Sequence, residues 1–447
     1  MRNPPERYLK ILQQHFAAAP NFAEGDVGAN PYRVTDSDAI PPLTTNQAAH
    51  GTAFQRWFHF KEAFAPAFIT NAIKTLGYRP SHVIDPFGGS GTTAITCQLL
   101  GINATTIEVN PFLADIISAK LDSPTAEELR RAAADFQDRL LSVPADLNCL
   151  AHLPTTFVEA TNKTRWIFPR GVAKRLTQYL QCIEKIKSKK IQRFFKIILG
   201  AVLVECSNVY VNGKGRRYRR SWEDNQPTAQ MLDDCFAMQF NAAFEDVLRF
   251  ETRPNCSTSV LNGDSRSAMA SITQKADLIV FSPPYPNSFD YTDIYNVELW
   301  VLGYLKSSEG NQQLRRNTLR SHVQIRRGYE GPFHDSKTLK ETLAKLEICR
   351  DALWDKNIPE MVASYFRDLE LIITECRRLI TERGKVMLVV GDSRYSGVLI
   401  DVAKILAELS TAIGFSNVRI HEVRLMRSSA QQGGAHHLRE CMVELCT

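Results

Sequence analysis

A chain of 447 residues, 44% hydrophobic and 23% charged, carries enough apolar material for one large or two moderate cores, which excludes disorder over most of its length. Its net charge of +6 permits a nucleic-acid partner without demanding one, and its ten cysteines form no close C-x-x-C pair, so neither a zinc ribbon nor a secreted disulfide framework is indicated. Apolar runs such as Ile197–Val204 and Val386–Val390 fall far short of the ~20 residues of a membrane span, and Met1–Gln14 is charged rather than built as a signal peptide, so the expected location is cytoplasmic.

Residues 1–50 are polar, rich in Asn, Pro and Ala, and without sustained period, and they read as a loosely structured arm. Helical spacing over Phe64–Leu76 leads to Gly77 as a C-cap, and Ser81–Asp85 then reads as a buried strand running into a glycine-rich turn. A helix over Thr92–Leu100, a strand over Ala104–Glu108 and a helix after Pro111 complete a β-α-β-α run, the pattern of a parallel doubly wound sheet. Residues 123–258 break that rhythm with amphipathic stretches at Ala126–Leu141, Val172–Ile186, Ile191–Val204 and Met231–Phe250, which predict a helical insertion.

Alternation resumes with strands at Ser259–Leu261 and Leu278–Phe281, the second entering the turn Ser282-Pro283-Pro284-Tyr285. A helix over Tyr365–Ile380, a strand over Lys385–Val390, a helix over Val398–Ile413 and strands at Val418–Leu425 and Cys441–Leu445 follow. The expected fold is α/β: a Rossmann-like, doubly wound, mostly parallel sheet with a C-terminal antiparallel hairpin at one edge and a helical insertion. Its expected division is an arm over 1–50, a cofactor half over 51–122, the insertion over 123–258 and a catalytic half over 259–447.

Asp85-Pro86-Phe87-Gly88-Gly89-Ser90-Gly91-Thr92 sits between a predicted strand and a predicted helix, where an open α/β sheet places its ligand crevice. Glycines there let the backbone approach a ligand, and the free N–H groups of the helix start suit a carboxylate. Glu108 closes the next strand, the position from which an acid accepts hydrogen bonds from a ribose diol, so a nucleoside cofactor is implied. The string lacks both the G-x-G-x-x-G spacing and the G-K-[ST] ending, which disfavours pyrophosphate binding. The prolines of Ser282-Pro283-Pro284-Tyr285 fix the backbone at the end of a strand of the same sheet.

Together these two strings resemble the signature motifs of the amino-directed DNA methyltransferases, which make N4-methylcytosine or N6-methyladenine, and within them the Ser-Pro-Pro-Tyr subgroup. The resemblance implies S-adenosylmethionine as cofactor and double-stranded DNA as substrate, with Phe87, Gly89 and Gly91 along the methionine part and Glu108 on the ribose. Asp85, Pro86, Gly88 and Thr92 complete that motif; Phe60, in Trp57–Phe64, resembles the block that packs round the methionine carboxylate, and Asp264 the acid that contacts the adenine. The resemblance assigns Ser282 and the Pro283 carbonyl to accept the hydrogens of the attacking amine, and Tyr285 to stack on the extruded base.

Ser at the first position goes most often with cytosine, whereas the block order found here (cofactor, insertion, catalysis) is commoner among adenine enzymes. The N4 of cytosine is therefore the expected target, with N6-adenine, an RNA acceptor or a catalytically silent DNA-binding protein as alternatives. The basic run Lys214, Arg216, Arg217, Arg219 and Arg220, in a predicted loop, and Arg315 with Arg316 after the catalytic turn are the candidate DNA contacts. No Pro-Cys dipeptide supplies a covalent nucleophile, and His436-His437 have no further ligands at usable spacing, so no metal is expected. A cognate restriction endonuclease is a candidate partner.

Overall fold

The His82–Asp85 run is buried at all four positions, as a strand covered on both faces must be. It lies inside an eight-stranded sheet. The computed structural model describes residues 34–36, 44, 52–60, 62–162, 164–212, 215–287, 289–427 and 437–447. Its strands are β1 (Val34–Asp36), β2 (His82–Asp85), β3 (Asn103–Glu108), β4 (Val209–Asn212), β5 (Gly215–Tyr218), β6 (Thr258–Asn262), β7 (Ala276–Phe281), β8 (Ile380–Gly391), β9 (Ser393–Tyr395), β10 (Val398–Ile400), β11 (Asn417–Arg427) and β12 (His437–Cys446). The main sheet has the order β1-β11-β12-β8-β7-β2-β3-β6. β12 runs antiparallel to both its neighbours and every other pairing is parallel. This is the expected Rossmann-like architecture, mostly parallel with a C-terminal antiparallel hairpin.

From β2 the chain steps outward through β3 to β6, then returns to the other side of β2 to lay down β7 and β8. The winding therefore reverses between β2 and β7, and an open α/β sheet splits its loops apart at such a switch point to leave a crevice.

The predicted insertion helices form as Ala126–Ser142, Arg170–Glu184, Lys189–Val202 and Ala229–Arg249. The first is started by a capping box in which Thr125 and Glu128 satisfy each other's backbone N–H groups. These helices share one core with the Pro111–Leu121 helix and with Asn296–Val301, through residues such as Phe136, Phe195, Phe236, Phe112 and Trp300. Asp246 ties them to the segment ahead of the glycine turn: its buried carboxylate accepts from Phe54 N at 2.8 Å, Trp57 Nε1 at 3.0 Å and Arg56 Nη2 at 2.6 Å. Asp246→Ala would leave two buried donors unpaired and is expected to cost about 3 kcal/mol in denaturant unfolding. A loss below about 1 kcal/mol would mean that the segment is held by its aromatic packing alone.

Four expectations need correction. The basic run is not a loop: Gly215–Tyr218 is β5, paired antiparallel with Val209–Asn212, while Lys214 lies outside the described residues. The C-terminal hairpin is not at the sheet edge, because β1 adds in parallel outside β11. That same strand gives the N-terminal arm a structured piece. The last helix begins at Val402 rather than Val398, since Val398–Ile400 pairs back on Ser393–Tyr395.

Candidate active site

The two motifs end neighbouring parallel strands: β2, which runs into the glycine turn, pairs with β7, which runs into Ser282, through Val83↔Leu278 and Ile84↔Ile279. Both turns therefore open onto one cleft at the carboxyl ends of the strands. Its volume is about 320 Å³, within the range of small-molecule sites. Phe60, Pro86, Phe87, Gly88, Gly89, Thr92, Glu108 and Asp264 line it together with Ser282, Pro283, Pro284 and Tyr285.

The glycine turn is built by a dense set of hydrogen bonds. Gly88 N donates to Ile107 O at 2.8 Å, Gly89 N to Glu108 Oε2 at 2.7 Å, and Lys120 Nζ to Ser90 O at 2.7 Å. Gly89 stands at φ +53°, and a Cβ there would come within 2.9 Å of the Phe60 ring, so bare backbone faces the cleft at this point. Phe60 in turn stacks on Tyr295 at 5.6 Å with 11° between the planes, and Tyr295 donates to Glu62 Oε2 at 2.9 Å.

Glu108 also accepts from Asn110 N at 2.8 Å, and burial pushes its carboxyl up to about 7. Asp85 and Gly91 do not line the cleft. Asp85 lies behind it, accepting from Phe87 N at 2.9 Å and Thr93 Oγ1 at 2.5 Å, and burial raises it to about 6. Asp264 is on the cleft wall, but Arg266 grips both its oxygens, with Nε at 3.0 Å and Nη2 at 2.6 Å.

At the other turn, Ser282 Oγ donates to Val389 O of β8 at 3.1 Å. The Tyr285 hydroxyl donates to Glu440 Oε1 at 3.0 Å; burial first, and the neighbouring carboxylate second, raise it well above the ordinary phenol value, so it stays a donor. Tyr395 Oη, donating to Pro286 O at 2.9 Å, holds the loop beyond.

The candidate DNA contacts divide. Arg219 donates to the carbonyls of Ser207 and Val204, both at 3.1 Å, and Arg315 pairs with Asp290 at 2.5 Å. The Arg216 guanidinium lies 5.5 Å from the Phe157 ring centroid. Arg217, Arg220 and Arg316 face solvent.

Thr44, Tyr295, His322, Arg424 and Glu440 line the cleft without having been singled out from the sequence. For Glu440 a signal was available: a carboxylate in the strand Leu438–Leu445, whose other residues are mostly apolar and buried. Burial lowers the His322 imidazole to about 4, which keeps it neutral.

An open α/β sheet with a glycine turn and a strand-end carboxylate at its switch point, facing a second rigid turn across one cleft, has the form of a nucleoside-cofactor site. A family model described as DNA methylase matches residues 32–119. The type II methyltransferase M.BsoBI of Geobacillus stearothermophilus is 26% identical, over 88% of this chain and 85% of its own length. The type II methyltransferase M.AvaI of Nostoc sp. is 26% identical over 90% of this chain and 88% of its own. The chain is thus similar to DNA methylases over residues 32–119 and to type II methyltransferases over most of its length. Among solved structures, an S-adenosylmethionine-dependent methyltransferase from Agrobacterium tumefaciens aligns with a TM-score of 0.28 at 10% identity, over 85% of this chain and 60% of that one. The rRNA methyltransferase aviRa from Streptomyces viridochromogenes aligns with 0.26 at 8%, over 86% of this chain and 84% of that one. Likenesses at those TM-scores carry no weight for function. Among the described residues no helix is long and apolar enough to cross a membrane.

Proposed function

We propose that the protein methylates the N4 amine of a cytosine rotated out of duplex DNA. The observation that carries this reading is the place of Ser282: its hydroxyl stands on the cleft wall, 3.1 Å from the Val389 carbonyl and 3.5 Å from the Tyr285 hydroxyl, so its proton is taken up within the protein and its oxygen can accept from the cleft. An exocyclic amine is a poor nucleophile because its lone pair is delocalised into the ring, and it needs acceptors for its hydrogens as it attacks. Ser282 Oγ and the Pro283 carbonyl are those acceptors, and Tyr285 stacks on the base.

The cleft suits S-adenosylmethionine: the backbone at Gly89 is bare, the Phe60 and Phe87 rings flank it, and Glu108 stands at the strand end. When bound, that cofactor supplies an electrophilic methyl on a sulfonium. A ribose diol that donates through its hydroxyls is held better by an ionised Glu108, which accepts at both oxygens, than by the protonated acid. Because burial raises this carboxyl to about 7, cofactor affinity should increase as pH rises through neutrality and level off above it, with Glu108→Gln removing the dependence. Calorimetric titration across that range checks this, and a flat wild-type profile would take Glu108 out of the ribose site.

The insertion, with its basic hairpin, is assigned to DNA. Arg217→Ala with Arg220→Ala should flatten the salt dependence of DNA binding by about two units, roughly 0.9 per lost phosphate contact, and leave cofactor affinity unchanged. An unaltered slope would make the hairpin an ordinary solvated surface. The type II relatives favour a restriction-modification setting with a cognate endonuclease.

Mass spectrometry of nucleosides from DNA treated with the protein and labelled cofactor tests the whole reading. N4-methylcytosine is the expected product. N6-methyladenine, which the block order favours, would transfer the assignment to adenine, and methylated RNA without a DNA product would overturn it.

A further inference from the structure

We infer that Glu440 is a positioning residue that fixes the Tyr285 ring through its hydroxyl, with Gly391, Arg424 and Thr44 completing the clamp. The inference rests on the reading above, in which Tyr285 stacks on the extruded base.

Three adjacent strands supply one row. Gly391 of β8 is the direct partner of Glu440 on β12, and Glu440 is the direct partner of Arg424 on β11. Cross-strand partners share a sheet face, so all three positions meet whatever lies across that face. What lies there is Tyr285, delivered from the end of β7. A Cβ on Gly391 would come within 2.6 Å of Tyr285 Cε2 and 2.7 Å of Cδ2, so the ring rests on backbone that only glycine leaves open. Beyond the ring, the phenol oxygen reaches Glu440 Oε1 at 3.0 Å.

Glu440 itself has no freedom to swing away. Its side chain is 3% exposed. Arg424 donates to it from Nε at 2.6 Å and Nη2 at 3.0 Å, and Thr44 Oγ1 donates at 2.5 Å. The guanidinium compensates a charge that burial would otherwise penalise, and an ionised carboxylate can only accept, so the phenol must donate to it. Tyr285 is thus held by its hydroxyl at one end and by the Gly391 backbone along one edge. A ring immobilised before the base arrives loses little entropy on stacking, which is the value of such a clamp for extrusion.

The test uses the full-length protein and single-turnover transfer of labelled methyl to DNA, with cofactor affinity measured in parallel. A second readout is the fluorescence of 2-aminopurine beside the methylated base, once that base has been mapped. Tyr285→Phe removes one donor and keeps the ring; Glu440→Met removes the acceptor and keeps the bulk. Each should slow transfer about tenfold and reduce the extrusion signal, with S-adenosylmethionine affinity unchanged. The double variant should be no slower than Glu440→Met alone, since both act on one hydrogen bond, and Glu440→Gln should recover part of the rate through its amide oxygen.

Tyr285→Phe at the wild-type rate while Tyr285→Ala is slow would overturn the clamp and leave the stacking role intact. Losses that multiply in the double variant would also overturn it. Tyr285→Ala without effect on extrusion would remove the stacking role and the clamp together. Should Glu440→Met fail to fold, Tyr285→Phe is read with Glu440→Gln, because the Tyr285 hydroxyl also lies 3.5 Å from Ser282 Oγ: a slow Tyr285→Phe beside a Glu440→Gln at the full wild-type rate would overturn the clamp.

Discussion

Gly89→Asp is expected to weaken S-adenosylmethionine binding by at least about 100-fold, to the limit of calorimetric detection. Three costs act together. The backbone there sits at φ +53°, where a side chain is strained. A Cβ would press on Phe60, whose ring is already stacked on Tyr295 and has little room to retreat. The new carboxylate would also stand beside Glu108, whose Oε2 accepts from Gly89 N at 2.7 Å, so two acids would share one partly buried corner. Gly89→Ala carries the first two costs only and should lose about tenfold. Unchanged affinity in the Asp variant would take the glycine turn out of the cofactor site.

Ser282→Ala is expected to lower the single-turnover methylation rate about 100-fold while leaving cofactor affinity within about twofold of wild type. A contact to the amine that strengthens as its lone pair is drawn toward the methyl appears in the rate, not in ground-state binding. The substitution also leaves the Val389 carbonyl without its Ser282 donor, a stability cost of about 1 kcal/mol that thermal unfolding would register separately. Wild-type turnover in this variant would remove the Ser282 oxygen from the chemistry and leave the Pro283 carbonyl as acceptor. A parallel loss of cofactor affinity would point instead to a collapsed cleft.

What the sequence by itself determined is local. Glycines at the turn after β2, prolines at the turn after β7 and the period of the insertion helices each encode backbone angles or burial within a few residues, so most strands of the main sheet, the insertion helices and both motifs were legible. Tertiary structure alone decided what depends on partners far apart in the chain. Sheet order put β2 beside β7 and so joined two distant turns into one cleft. Strand register set Gly391, Glu440 and Arg424 in one row beneath Tyr285, although no local pattern relates them. The same cause sorted the arginines: a run of basic residues reads alike at every position, but only packing reveals that Arg219 is committed to backbone carbonyls and Arg315 to Asp290, while Arg217 and Arg220 face solvent. Local sequence sets dihedral preference and hydrophobic period, whereas pairing across a sheet is selected by the burial and hydrogen bonding of the whole fold, and that is where the half of the cleft around Ser282 and Tyr285 was made.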